Sequence, residues 1–308
     1  MAGSIFDDLQ RQGEPDWSGC QGRDLRHAVE QAPEPLDFVL PGFKSGTVGA
    51  LVSPGATGKT MLALQAAVTV SGGPDMLDFA SMDTAWRRTA GRVVFLTGED
   101  PADVLNGRFH AIGQRLNPAE REAMFENLSV APLVGRGAEV MTFGWRRWIA
   151  GVTRDARLVV IDTLRRFHQL DENDGGHMAG LLAYMEQLCR ENSTTVLFLH
   201  HTSKAGALNG GDAQQASRGS SVLTDNARFQ ANLVGMTPEQ AKQLDVDENC
   251  RRNFVRLSFP KINYSAPIPD QWFRRRDGGL LEPAVLERGT FKSAKTGSFQ
   301  KGGDDERW

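Results

Sequence analysis

The chain is poor in cysteine, has no long apolar run and carries no strong excess of charge of one sign. Its three cysteines, Cys20, Cys189 and Cys250, are scattered and never fall in CxxC spacing. That excludes a disulfide framework or a cysteine-based zinc site, and reads as the reduced thiols of a cytoplasmic protein. No stretch approaches the roughly 18 apolar residues of a membrane helix, and the first residues lack the basic start and apolar core of a signal peptide. A net charge of −3 gives no global signature for nucleic acid. Eight acids and four bases in the first 46 residues leave the remainder near +1, so any contact with DNA must come from local basic loops.

With 308 residues, 40% of them hydrophobic, the chain can bury a full core. Residues 1–35 are rich in Gly, Pro and Asp, with one short helical stretch at 24–32, and read as an arm, flexible or docked on another subunit. Residues 289–308 have few large apolar side chains and read as a loose tail. In between, apolar runs at 47–52, 92–97, 158–161 and 195–199 alternate with amphipathic helices. The helix before the last run places Met178, Leu181, Leu182, Met185, Leu188 and Cys189 on one face. Uninterrupted apolar strands separated by helices predict an α/β fold, a parallel sheet covered on both faces. Strand-like stretches at 228–236, 254–264 and 272–276 are expected to extend that sheet with antiparallel strands, making one domain over 36–288.

After the first strand comes Ser53-Pro54-Gly55-Ala56-Thr57-Gly58-Lys59-Thr60. Small residues let backbone N–H groups wrap a phosphate at the start of a helix, whose dipole favours the anion. Lys59 can reach the β- and γ-phosphates of ATP, and the Thr60 hydroxyl can ligate Mg²⁺. Ser53 departs from the general motif, which begins with glycine. The bland alternative, a glycine-rich turn that binds nothing, fits poorly between an apolar strand and a helix.

Ligands of open parallel sheets bind beyond the carboxyl ends of the strands. Asp162 closes the 158–161 run and matches a Walker B aspartate holding Mg²⁺ through its water shell; a helix cap is the alternative. Glu99 closes the second strand and can orient and deprotonate an attacking water. Asp100, before Pro101, is expected to cap the next helix. The fourth strand ends in His200-His201, adjacent residues that face opposite ways and cannot easily share a metal. His201, closer to the following loop, is preferred as the group that senses the γ-phosphate.

That loop, residues 203–219, is long for a compact domain. Lys204 and Arg218 are its cations and the candidate contacts to a nucleic-acid backbone. Arg165, Arg166 and Arg228 are candidates for an arginine lent to a neighbouring subunit's γ-phosphate, and the residues alone do not choose among them.

These segments occur in a fixed order: Pro-Gly-Phe-Lys-Ser-Gly-Thr-Val-Gly-Ala from Pro41, Gly98-Glu99-Asp100-Pro101, Ile161-Asp162-Thr163-Leu164-Arg165-Arg166-Phe167-His168, Phe198-Leu199-His200-His201, Gln214-Gln215-Ala216-Ser217-Arg218-Gly219-Ser220-Ser221 and Trp272-Phe273-Arg274-Arg275. Together they resemble the RepA replicative helicase family of mobilisable plasmids, over about residues 35–288. The resemblance implies a RecA/DnaB-type fold, a homohexameric ring, and ATP- and Mg²⁺-dependent 5′→3′ unwinding around single-stranded DNA. It also implies partners such as a replication initiator and a primase. Under it Lys59, Thr60, Glu99, Asp162 and His201 serve the nucleotide, and Arg228 takes the arginine-finger position. The chain departs from the family in an insertion around residues 79–89 and a longer N-terminal arm. Another class shares the same site, a RecA-like ATPase acting as a protein-binding switch or loader. A degenerate scaffold would need loss of Lys59 or Glu99, and both are present.

Overall fold

The computed structural model describes residues 25–201 and 221–286. The chain divides into two compact units, residues 1–36 and 37–308. In the first, the described part is a short helix α1 (Leu25–Glu30) without a buried residue, braced by an Arg26–Glu30 ion pair of 3.2 Å.

The second unit is built on one nine-stranded sheet. Its strands are β3 (Val48–Ser53), β4 (Val93–Thr97), β5 (Leu128–Pro132), β6 (Leu158–Asp162), β7 (Val196–His201), β8 (Phe229–Gly235), β9 (Phe254–Ile262), β10 (Gln271–Arg275) and β11 (Leu281–Ala284). Their order across the sheet is β11-β10-β9-β8-β3-β7-β6-β4-β5. A small ladder of β1 (Phe38–Leu40) and β2 (Phe43–Lys44) precedes it. From β8 to β5 every neighbouring pair is parallel, and from β8 to β11 every pair is antiparallel. The antiparallel strands expected toward the C-terminus are therefore present. The first of those three stretches, β8, makes the transition, pairing parallel with β3 and antiparallel with β9.

β3, β4 and β6 are buried at every position, as strands covered on both faces must be. Successive side chains serve two cores. Leu51, Phe95, Val160 and Leu197 join one with helix α2 (Lys59–Val70). Ala50, Leu96, Ile161 and Phe198 join the other with α7 (Gly175–Asn192). The predicted α7 face, Met178 to Cys189, is the face that α7 buries.

Between them lie α3 (Phe79–Met82), α4 (Ala102–Gly113), α5 (Pro118–Asn127) and α6 (Phe143–Thr153). The insertion at 79–89 is anchored, not loose. Phe79 and Trp86 meet edge to face at 5.9 Å, both buried, and the Trp86 indole donates to the Phe38 carbonyl at 3.1 Å. Two short helices, α8 (Ser221–Asn226) and α9 (Pro238–Gln243), flank β8. Among the described residues no helix is long and apolar enough to cross a membrane.

Candidate nucleotide site

The tips of β3, β7, β6 and β4 stand side by side, so their terminal residues share one edge of the sheet. Beyond β3 the loop 53–58 turns into α2, with Gly58 at its N-cap in the left-handed region at φ 97°. Ala56 also lies there, at φ 61°, while Ser53 does not. The first position of this loop therefore makes no demand for glycine. Ser53 is buried, and its hydroxyl donates to the Pro54 carbonyl at 3.0 Å. Thr57 closes the turn by donating to the same carbonyl at 2.7 Å. Space beside Gly55 is open, leaving room for a phosphate at the backbone.

Lys59 is buried under this loop, and burial lowers its pKa against the opposing pull of Asp162, Glu99 and Asp100. Its ammonium lies 3.4–3.5 Å from both ring nitrogens of His201, and His201 Nε2 lies 3.4 Å from Glu99 Oε1. Glu99 in turn accepts a 2.9 Å hydrogen bond from the Thr163 hydroxyl. His201 faces the nucleotide side, and its pKa is lowered by burial and by Lys59, with Glu99 opposing. His200 is turned into the interior, where burial, His201, Lys59 and His168 depress its pKa to about 4.

Asp162 is fully buried at the tip of β6. Burial pushes its carboxyl up to about 6, against the Thr60 hydroxyl and Lys59, which favour the charged form. A hydroxyl and a carboxylate are the hard oxygen donors that Mg²⁺ takes, so Thr60 and Asp162 fit that ion. Held by these two residues, Mg²⁺ would offset the negative charge of the nucleotide's phosphates.

Gly98 sets the approach of β4 to β6. Its N–H donates to the Asp162 carbonyl at 2.6 Å, and a Cβ there would meet the Arg166 Cβ at 2.6 Å. Any larger residue would push Glu99 away from the tip of β6.

Asp100 does not cap α4. The N-cap is Pro101, without a side-chain cap bond, and Asp100 instead pairs with Arg108 at 2.9 Å. A guanidinium two turns into the helix outcompetes the backbone N–H groups for that carboxylate.

Arg228 is exposed just before β8, and its N–H donates to the Val48 carbonyl at 3.3 Å. Because β8 runs parallel to β3, this puts Arg228 at the opposite end of β3 from Ser53. Lys204 and Arg218 lie outside the described residues. Two residues that sequence reasoning leaves without a role stand at the site. Thr163 is visible in the sequence only as the neighbour of Asp162. Arg275, on β10, donates to the Thr57 carbonyl at 2.6 Å and the Ala56 carbonyl at 3.2 Å, across a gap in sequence that no local motif bridges.

Comparison with known proteins agrees with this architecture. One solved structure, an isolated ATPase domain, superposes with a TM-score of 0.53 at 14% identity, over 92% of this chain and 100% of that one. A DnaB-like replicative helicase, solved for its interactions with primase, superposes with a TM-score of 0.54 at 16% identity, over 90% of this chain and 70% of that one. At such identities the likeness speaks for the fold, the expected RecA-like α/β fold. The AAA domain family matches residues 21–207, a span that holds the phosphate loop, Glu99, Asp162 and His201 but ends before Arg228. This chain belongs to the AAA domain family of P-loop NTPases, with a RecA-like core.

Proposed function

We propose that the chain is an ATP-dependent DNA helicase of the plasmid RepA type, a homohexameric ring that moves 5′→3′ on single-stranded DNA. Residues 36–288 form its motor, 1–35 an arm and 289–308 a tail. Lys59 binds the β- and γ-phosphates, Thr60 and Asp162 hold Mg²⁺, Glu99 takes the proton of the attacking water, and His201 senses the γ-phosphate. The observation that carries the reading is the place of Arg228. Six strand residues at about 3.3 Å each separate it from its own phosphate loop, more than its side chain spans. An arginine so placed serves a γ-phosphate only across a subunit boundary, which requires a head-to-tail assembly, in this reading one that closes into a ring. The ordered resemblance to plasmid helicases and the likeness to a DnaB-like helicase support the same reading. Lys204 and Arg218 are then the loop cations that grip DNA. An initiator and a primase are its expected partners.

Strand displacement with one-sided tails tests it. A substrate with a 5′ tail should be unwound with ATP and Mg²⁺, one with only a 3′ tail should not, and single-stranded DNA should stimulate hydrolysis. Stimulation by a protein alone, with no displacement on either substrate, would make the chain a switch or loader.

A further inference from the structure

The C-terminal strands reach the nucleotide site from outside the matched family region. Gln65, buried in α2, exchanges two 2.9 Å hydrogen bonds with the backbone of Leu281 at the start of β11. Glu282 holds Arg276 at 2.6 Å and Arg115 at 3.0 Å. Apart from this clasp, β10 itself carries Arg275 to the outer side of the phosphate loop. There its guanidinium binds the carbonyls of Thr57 and Ala56 at 2.6 and 3.2 Å, and its Nε lies 3.8 Å from where a Cβ on Gly58 would stand. Burial lowers the pKa of Arg275, so the position holds a charge at some cost.

In a trans peptide the carbonyl of one residue and the N–H of the next point in opposite directions. Turning the Ala56 and Thr57 carbonyls outward therefore turns the Thr57 and Gly58 N–H groups inward, where a phosphate binds. Ala56 and Gly58 hold left-handed backbone, so these two peptide planes are the part of the loop most in need of an outside hold. We infer that Arg275 is a positioning residue for nucleotide binding, a brace from β10 that fixes two peptide planes of the phosphate loop with their N–H groups toward the phosphates. It touches no phosphate. The inference rests on the nucleotide role of the loop and does not depend on unwinding.

The test is calorimetric titration of Mg·ADP into the full chain, paired with urea unfolding without nucleotide. Arg275→Met should weaken Mg·ADP binding by about tenfold or more, the scale of losing hydrogen bonds from a charged donor. Arg275→Lys, which can still hold one carbonyl, should recover part of that loss. Gln65→Met cuts the clasp without touching the loop carbonyls. It should lower the urea midpoint and leave Mg·ADP affinity within about twofold, since it removes hydrogen bonds that only support the fold. Wild-type affinity in Arg275→Met overturns the inference. So does a loss in Gln65→Met as large as in Arg275→Met, which would make the effect general loosening. Failure of the wild-type protein to bind Mg·ADP at all would overturn the nucleotide reading itself.

Discussion

At the carboxyl ends of the parallel strands, Lys59, His201 and Glu99 meet at 3.4–3.5 Å, whereas at the opposite end Arg157 holds Asp37 through two bonds of 2.7 and 2.8 Å. The second contact is bidentate, the strongest geometry a carboxylate and a guanidinium can adopt, and it pulls the Asp37 pKa down. The first is long for hydrogen bonds, which weaken with distance. The short, bidentate contact ties two segments of the fold together. Under the proposed function the longer contacts are those whose partners change when phosphate arrives, and such contacts tighten on the substrate.

The largest expected break comes from Lys59→Ala. It should abolish hydrolysis and weaken nucleotide binding, because the phosphates lose their main cationic partner. The fold should survive, since a buried ammonium with slack contacts contributes little to stability. A urea midpoint far below wild type would show that Lys59 holds the structure as well.

Arg228→Ala should lower turnover by about 10³–10⁵ while leaving nucleotide binding intact, because under the proposed function the affected site belongs to a neighbour. Mixing Arg228→Ala with Lys59→Ala subunits sharpens this. Interfaces with both an intact Lys59 and an intact Arg228 should reappear, and ATPase activity with them. No recovery despite mixed assembly would return Arg228 to its own subunit and make Arg218 the next arginine to test.

Glu99→Gln should keep the Thr163 bond and ATP binding but cut turnover by about 10²–10⁴. Near-normal turnover would move the base to Asp100, which Arg108 now occupies.

The smallest effect concerns acid stability. His168 and His200 are buried with pKa values depressed from 6.5 to about 4, chiefly by burial. As pH falls through this window the unfolded chain takes up protons that the folded chain refuses, so stability falls. Asp162, raised to about 6, and Glu172, also raised by burial, work in the opposite sense and offset part of the loss. Urea midpoints should drop between pH 7 and pH 5, and His168→Asn should flatten the drop. A midpoint that rises toward acid would mean that the carboxylates dominate.

Much of this is legible in the sequence because parallel strands and a phosphate loop are written locally. Runs of β-branched and large apolar residues mark β3, β4, β6 and β7, and small residues before Gly58-Lys59-Thr60 mark the loop. β5 is not legible. Its Leu-Ser-Val-Ala-Pro is short, half-exposed at the sheet edge, and ends in proline. α6 escapes as well, since only Ile149 and Thr153 of its residues are fully buried. Asp100 misleads because a cap and an ion pair look alike until the competing arginine is seen. Arg275 cannot be read at all, because what it touches lies more than two hundred residues away.

The strand order carries one further consequence, for how the chain comes together. β3 is the first strand of the large sheet to leave the ribosome, yet both of its neighbours, β7 and β8, are made after β4, β5 and β6. Until residues 196–201 fill the slot between β3 and β6, β3 has no partner in the large sheet, whereas β4, β5 and β6 have one another. Seating β7 closes that slot and, in the same movement, delivers His201 between Lys59 and Glu99. A nascent chain can therefore have its phosphate loop long before Lys59, His201 and Glu99 stand together at that edge of the sheet.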